Sequence, residues 1–216
     1  MQEIYAHHNI YSMPCQISAA EGSGWFRNEI TSLDQLRGLK MRFFGLGAKV
    51  MEKLGVSTQL IAPGDIFPAL ELGTIDAAEL SFPALDLDLG FYEVAKHYYF
   101  PGWHQPTTFG ELMINLNDWN SISPRQQALL QTLCQESIAR TLAESEAIQF
   151  DALYELQEKG VTLHQWEPAV LDAFETAWQE VVTEEAAKDA DFSRVWDSLR
   201  TFRENYKVWG DLGYID

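Results

Sequence analysis

The first half of the chain alternates between short segments typical of strands and longer segments typical of helices. Residues 39–44, 57–62 and 74–79 each predict a strand, because they are short and are bounded by glycine or proline. Residues 48–55 and 65–73 lie between these strands and predict helices that each end at a glycine. Strands that alternate with helices in this way predict a parallel sheet with helical crossovers.

The second half of the chain has a mostly helical pattern. Ser123, Pro124 and Gln126 form the signature of a helix start, with a capping side chain, a proline in the first turn and a glutamine that completes a capping box. The predicted elements from this region are a strand at 109–116, a long helix at 124–158, a short strand at 161–166, and helices at 168–188 and 192–209.

Composition and charge exclude one class of partner. The 216 residues are 46% hydrophobic, and 32 acidic against 15 basic residues give a formal charge of -17. A surface of this charge repels phosphate backbones, so we expect no nucleic-acid partner. We find no apolar run long enough to span a bilayer, and the first residues of this chain do not form a signal peptide.

The cysteines and histidines give no motif that carries chemistry. Cys15 and Cys134 are far apart in the sequence, and either one disulfide or two buried free thiols fits them. The five histidines lack the spacing of a helical zinc motif, so we expect no zinc site of that kind. No serine lies in a nucleophile elbow.

Two charged residues stand out at the ends of predicted strands. Arg42 lies close to the end of the first strand of the alternating region, and Glu79 ends the third. Ligands of open α/β sheets collect beyond the carboxyl ends of the strands, and an arginine there can bind a carboxylate with two parallel hydrogen bonds. The alternative for Glu79 is a solvated strand end. If the two strands are neighbours, Arg42 and Glu79 form one joint site.

The chain resembles a known family over nearly its whole length. The segments that carry the resemblance are MPC, GSGWFRNEI, LRGLKMRFFGLGAKVMEKLG, PGDIFPALELGTIDAAE, YEVAKHYYFPGWHQP and ELMIN. They resemble the solute-binding proteins of tripartite ATP-independent periplasmic (TRAP) transporters, in the branch that captures small 2-oxo or 2-hydroxy monocarboxylates. The most specific parts are residues 38–47 and 63–79.

The resemblance implies a fold and a division of the chain. The fold is α/β, a two-lobed periplasmic-binding-protein-like fold with parallel-type sheets. The first residues match the end of the family's first lobe, so the resemblance implies an N-terminally truncated chain with an incomplete first lobe and a helix-rich C-terminal half. The implied regions are residues 1–24 for the end of lobe one and the crossover, 25–115 for the ligand-binding lobe with a cross-lobe strand, and 116–216 for the helical region.

The resemblance also implies the site residues. Arg42 matches the family arginine that binds the ligand carboxylate, and Glu79 matches the acid that ligates a metal ion on the substrate. The backbone carbonyl of Leu80 is a further metal ligand, and the side chain there departs from the tryptophan that relatives carry. Trp103 is implied as a lining residue of the pocket. Glu21 takes the place of a glutamine that contacts both metal and substrate in pyruvate-binding relatives.

The charge of Glu21 bears on the choice of cation. A site with a glutamine, Na⁺, one glutamate, one arginine and one ligand carboxylate is neutral, whereas Glu21 in place of the glutamine leaves one uncompensated negative charge. Uncompensated buried charge is costly. A divalent cation restores neutrality, and Ca²⁺ accepts oxygen ligands of this kind. We therefore expect Ca²⁺ rather than Na⁺ if Glu21 faces the site.

The favoured function is a periplasmic receptor that binds a small carboxylate reversibly and is not an enzyme. The resemblance implies the integral membrane subunits of a TRAP transporter as partners and a homodimer through the helical C-terminal region. An alternative is a metal-assisted enzyme acting on a small carboxylic acid. A third hypothesis is an interaction protein that uses the helices from residue 124 to residue 209.

Overall fold

The computed structural model describes residues 1–214, which fold into α-helices, two short 3₁₀ turns and β-strands. The α-helices are α1 (Gln2–His7), α2 (Gly45–Lys53), α3 (Pro63–Glu71), α4 (Pro83–Asp88), α5 (Leu116–Ser121), α6 (Pro124–Ala147), α7 (Gln149–Glu158), α8 (Pro168–Lys188) and α9 (Ala190–Gly213). The strands are β1 (Ile10–Ile17), β2 (Gly24–Phe26), β3 (Lys40–Arg42), β4 (Ser57–Gln59), β5 (Ala77–Ala78), β6 (His97–Phe100), β7 (Phe109–Asn115) and β8 (Thr162–Gln165).

Six of these strands form one mixed sheet in the order β4-β3-β5-β2-β6-β8. β3 runs parallel to both β4 and β5, as the alternation of strands and helices predicted. Strand β2, which lies outside the alternating region, runs antiparallel to both β5 and β6, so the complete sheet is mixed. The predicted α/β fold is confirmed.

The strands β1 and β7 form a separate antiparallel ribbon, in which Ile10 pairs with Asn115 and Ile17 with Phe109. Helix α6 packs against this ribbon, and a disulfide between Cys15 and Cys134 joins β1 to α6. The sequence left a disulfide and two free thiols open, and the structure has the disulfide.

Each face of the six-stranded sheet is covered by its own apolar cluster. Successive residues of a strand point to opposite faces, and the neighbours Trp25 and Phe26 of β2 accordingly belong to different clusters. Trp25 packs with Ile66 from α3, and Phe26 packs with Phe174 from α8. The ends of β3 and β5 are therefore held between two packed layers, which fixes the side chains that follow them.

The long helix predicted over 124–158 is wrong in one respect, since it is divided at Ile148 into α6 and α7. The division lets α7 pack against α4, where it buries Ala152 and Leu156. The side chain of Gln149 accepts a hydrogen bond from the backbone nitrogen of Ala84 at 3.0 Å. Tertiary packing thus overrides a helical composition that continues through the break.

The remaining helix ends follow the predicted chemistry more closely. Ser123 and Gln126 form the expected capping box at the start of α6, and α8 has the predicted bounds. The last helix is longer than the predicted 192–209, because Asp189 caps it and accepts a hydrogen bond from the backbone nitrogen of Phe192 at 2.9 Å. Within residues 1–214, no helix combines the length and the apolarity that crossing a bilayer requires.

All three strands predicted in the alternating region are shorter in the structure, and 39–44 contributes only Lys40–Arg42. The segment 74–79 contributes only Ala77–Ala78, and 57–62 contributes only Ser57–Gln59. Strand β6 lies in an aromatic region to which the sequence assigned only short strands and loops. The division of the chain at residues 24 and 115 stays a prediction.

Candidate functional site

Arg42 and Glu79 meet at the carboxyl ends of two neighbouring parallel strands. Arg42 is the last residue of β3 and pairs with Ala78 of β5, so Glu79 is the first residue beyond that pair. The backbone nitrogen of Glu79 donates to the carbonyl oxygen of Arg42 at 3.0 Å. The sequence prediction that these two residues occupy one edge of the sheet is confirmed.

The two side chains form a buried ion pair. Nη1 of Arg42 lies 3.0 Å from Oε2 of Glu79, and the side chains are only 7% and 4% exposed. Nη1 also donates to the carbonyl oxygen of Glu79, and Nε donates to that of Ile61 at 3.4 Å. Nη2 of Arg42 makes no hydrogen bond with residues 1–214, so it is the guanidinium nitrogen available to a ligand.

Glu21 brings a second buried carboxylate to the same edge. It lies between β1 and β2, and its Oε1 accepts hydrogen bonds from Gln105 at 2.8 Å and from Thr108 at 3.1 Å. Its Oε2 is buried and has no hydrogen-bond partner among the described residues. Burial, and then the charge of Glu79, raise the pKa of Glu21 to about 8. Glu21 thus faces the site, and its free oxygen is not satisfied by the protein.

His104 completes the cluster, and sequence reasoning missed it. Its Nε2 lies 3.2 Å from Oε1 of Glu79 and 3.8 Å from Oε2 of Glu21. The ring packs edge-on against Phe43 at 5.0 Å. His104 is separated from Glu79 by 25 positions, so spacing along the chain gave no signal. The only hint was its place in the aromatic segment that follows β6.

The cluster has the donor set of a cation site. One ligand atom from each of Glu21, Glu79 and His104 lies within 4.8 Å of the others. Two carboxylates supply the oxygen ligands that Ca²⁺ prefers, while an imidazole is more typical of transition metals. The unpartnered Oε2 of Glu21 is a buried acceptor that a cation would satisfy. These residues therefore fit a divalent cation.

The structure places the last two predicted residues outside this cluster. The side chain of Leu80 packs against the apolar cluster that contains Trp25, and the role of its carbonyl oxygen stays a prediction. Trp103 stacks on Phe174 at 4.7 Å and lies next to His104. It lines a cavity of about 580 Å³ that His104 separates from the carboxylates. The other lining residues include Phe44, Leu171, Phe174 and Trp178.

A third buried acid, Asp86, acts on the site indirectly, through the side chains that donate hydrogen bonds to it. Oδ2 of Asp86 accepts hydrogen bonds from Nε1 of Trp25 at 2.8 Å and from the hydroxyl of Tyr98 at 2.9 Å. Tyr98 packs directly on Gly22, where a Cβ atom would come within 2.3 Å of its ring. Asp86 thus fixes the ring that positions the segment carrying Glu21. Burial is the main reason that the pKa of Asp86 is raised to about 7.

The raised pKa of Asp86 predicts how stability depends on pH. Folded Asp86 holds its proton up to about pH 7, whereas an unfolded aspartate loses it near pH 3.9, at about its model value. The contribution of Asp86 to the free energy of unfolding is therefore greatest below about pH 4 and falls as pH rises towards 7, because folded Asp86 binds more protons than unfolded Asp86 in that window. Asp86→Asn should flatten this fall in the melting temperature of chelator-stripped protein.

The matched control is Asp88→Asn, which changes an exposed acid on the same helix. It should retain the wild-type slope of melting temperature against pH. Parallel curves for wild type and Asp86→Asn would contradict the assignment.

Comparison with known proteins gives a consistent result over nearly the whole chain. The family model for bacterial extracellular solute-binding protein, family 7, matches residues 19–189. The monocarboxylate 2-oxoacid-binding periplasmic protein of Nostoc sp. strain PCC 7120 is 36% identical over 215 residues, which cover 100% of this chain and 59% of that protein. The chain thus spans less than two thirds of the length of this relative.

Solved structures show the same fold. A TRAP transporter solute-binding protein from Bordetella bronchiseptica RB50, a dimer with calcium and picolinate in an active site, has a TM-score of 0.93 and 38% identity, covering 98% of this chain and 63% of that one. A TRAP periplasmic solute-binding protein from Pseudoalteromonas atlantica T6c, with sodium and pyruvate bound, has a TM-score of 0.90 and 31% identity, covering 100% of this chain and 68% of that one.

Proposed function

Since the chain belongs to the bacterial extracellular solute-binding proteins of family 7, we propose that it is the ligand-binding part of a TRAP transporter receptor for small 2-oxo or 2-hydroxy carboxylates. The observation that carries the proposal is the buried cluster of Arg42, Glu79 and Glu21 at the carboxyl ends of β3 and β5. This is the edge at which open α/β sheets bind ligands.

Each residue of the cluster has a proposed role. Arg42 binds the ligand carboxylate through Nη2, while Nη1 stays on Glu79. Glu79 and Glu21 hold a cation against the ligand, and the carbonyl oxygen of Leu80 and Nε2 of His104 are further ligands. Bound there, the cation supplies the positive charge that offsets the ligand carboxylate. Trp103 lines the pocket beyond His104.

We favour Ca²⁺ over Na⁺ as the cation. Glu21 is buried beside Glu79 and turns an unpartnered oxygen into the cluster. A bound cation would displace the proton that Glu21 holds near neutral pH, and the two carboxylates and one guanidinium then leave the site with one negative charge. Adding a ligand carboxylate makes the charge minus two, which a divalent ion neutralises and a monovalent ion does not. The calcium in the Bordetella protein supports this choice, and the sodium in the Pseudoalteromonas protein supports the alternative.

The ligand class rests on the relatives together with the site. The Nostoc relative is named for monocarboxylate 2-oxoacids, and the Pseudoalteromonas structure holds pyruvate. A 2-oxo or 2-hydroxy acid offers a carboxylate for Arg42 and a neighbouring oxygen for the cation, which suits the closeness of Arg42 and Glu79. We propose reversible binding without turnover, in agreement with a family of transport proteins.

The proposed location is the periplasm, and the proposed partners are the integral membrane subunits of a TRAP transporter. The disulfide between Cys15 and Cys134 supports this location, because disulfides persist in oxidising compartments such as the bacterial periplasm.

Ligand-induced stabilisation tests the proposal. Pyruvate and Ca²⁺ together should raise the melting temperature of chelator-stripped protein, since a ligand at a hundredfold excess over its dissociation constant stabilises by about 2.7 kcal/mol. Arg42→Ala should abolish the part of the rise that depends on the acid. The control Arg37→Ala removes an exposed arginine and should keep the full rise. An undiminished response to the acid in Arg42→Ala would refute the site.

Substitution of Glu21 tests the choice of cation. Glu21→Gln removes one negative charge from the cluster, so Na⁺ should now support the acid-dependent rise, and the affinity for Ca²⁺ should fall by a factor on the order of ten or more. Isothermal titration with each cation in the presence of pyruvate measures both effects. Glu71→Gln, at an exposed position on α3, is the matched control. Unchanged cation dependence in Glu21→Gln would contradict the charge argument.

We also propose a homodimer through α9. This helix has no buried residue, yet its apolar residues recur with alternating spacings of four and three positions, as in the seam of a coiled coil. The residues of this stripe are Val195, Leu199, Phe202, Tyr206 and Trp209, which are between 39% and 62% exposed. The Bordetella protein is a dimer, which supports the same assembly here.

A charge placed in the stripe tests the dimer. Phe202→Glu should convert the dimer to a monomer in size-exclusion chromatography with light scattering, because a carboxylate in an apolar seam would lose its hydration. Helical content should stay unchanged, since Phe202 is 62% exposed. Thr201→Glu adds the same charge at an exposed position beside the stripe and should leave the dimer intact. A wild-type protein that is monomeric at high concentration would overturn the proposal.

A further inference from the structure

Two histidines from distant parts of the chain meet on one face of the six-stranded sheet. His97 is the first residue of β6, and His164 lies in β8, the edge strand beside it. In the parallel register His164 pairs with Tyr99, two positions after His97. His97 and His164 are therefore diagonal neighbours that share a face. His104 follows the other end of β6, so this pair lies apart from the carboxylate cluster.

The facing ring nitrogens are close enough to share one proton. Nδ1 of His97 lies 2.9 Å from Nε2 of His164, and the ring centroids are 5.1 Å apart. One of the two nitrogens must carry the proton of this hydrogen bond, and the other accepts it. If that proton moves to the other nitrogen of the same ring, each of the two facing nitrogens has a free lone pair that can bind a metal ion.

The surroundings of His164 fix its orientation. Oε1 of Glu29 lies 3.8 Å from Nδ1 of His164, on the side of the ring opposite to His97. The ring of Tyr99 stacks on His164 at 4.5 Å, and the Tyr99 hydroxyl is held by the backbone of Ile30. At this distance Glu29 makes no hydrogen bond with His164, and its carboxylate contributes negative charge beside the ring.

We propose that His97 and His164 form a binding site for a divalent transition-metal ion such as Zn²⁺, with Glu29 as the carboxylate behind His164. This site goes beyond the proposed receptor function and is independent of the carboxylate cluster. Sequence spacing could not reveal it, because 67 positions separate the two histidines.

The distances suit such an ion. Zinc–nitrogen bonds of about 2.0–2.1 Å in a tetrahedral site require ligand nitrogens about 3.3–3.4 Å apart. The nitrogens, now 2.9 Å apart, would therefore open by only a few tenths of an ångström. A cleft of about 200 Å³ lies on the Glu29 side of His164 and is lined by Glu29, Tyr99 and His164 among others.

The electrostatic setting also favours a cation. The formal charge of the chain is -17, and both Glu29 and Glu167 line the cleft. Burial, and then His97, lower the pKa of His164, a direction that favours the neutral ring. A bound ion would join β8 to β6 and stabilise an edge strand that has a neighbour on one side only.

Zinc titration of the untagged, chelator-stripped protein tests the proposal. His97→Gln and His164→Gln should each lose at least tenfold in Zn²⁺ affinity by isothermal titration calorimetry. Two controls remove other histidines: His104→Gln alters the carboxylate cluster, and the double variant His7→Gln, His8→Gln removes an exposed pair. Both controls should retain the site. Wild-type zinc affinity in both His97→Gln and His164→Gln would overturn the proposal.

A second measurement avoids any dependence on how the variants fold. Zn²⁺ added to wild-type protein should shift the imidazole proton resonances of His97 and His164 in nuclear magnetic resonance spectra. Resonances of these two rings that stay in place while Zn²⁺ is in excess would overturn the proposal. Neither readout requires a carboxylic acid, so the outcome is independent of the receptor assignment.

Discussion

The buried ion pair between Arg42 and Glu79 is the interaction on which the site depends. Both residues have lost most of their hydration, and their attraction offsets that cost only because the pairing of β3 with β5 sets the distance between them. The pair also determines which part of the Arg42 guanidinium remains free to bind a ligand. Nη1 of Arg42 is committed to Glu79, so an incoming anion meets a guanidinium that is already oriented.

Around this pair, the chain buries more negative charge than positive charge. Glu21, Glu79 and Asp86 are each at most 6% exposed, and Arg42 is the one arginine or lysine that the described residues bury with them. Burial raises the pKa of both Glu21 and Asp86. Near neutral pH and without a cation, bound protons therefore neutralise much of the negative charge of these carboxyl groups. A divalent ion would displace the proton of Glu21 and neutralise its charge instead.

The part of the site that could be predicted from the sequence is the part that lies on regular strands. Arg42 and Glu79 were found because they end strands of an alternating pattern, which implies parallel neighbours and a common edge. His104 and Asp86 could not be found in this way. His104 is reached through an irregular turn after β6, and Asp86 lies in a short helix whose buried side became evident only from the packing of Trp25 and Tyr98.

The same contrast applies to the fold. Caps and glycines gave the start of α6 and, within two residues, the ends of α2 and α3, because those signals are local. The break at Ile148 and the reversed direction of β2 depend on contacts with distant elements, so local signals did not contain them.

The disulfide between Cys15 and Cys134 has a topological consequence. It closes a covalent loop between positions separated by 119 residues, and Glu21, Arg42, Glu79 and His104 all lie inside that loop. A single proteolytic cut within the loop would leave the two fragments linked, with every residue of the carboxylate cluster still attached to one molecule. A cut after Cys134 would instead free the segment that carries α8 and α9.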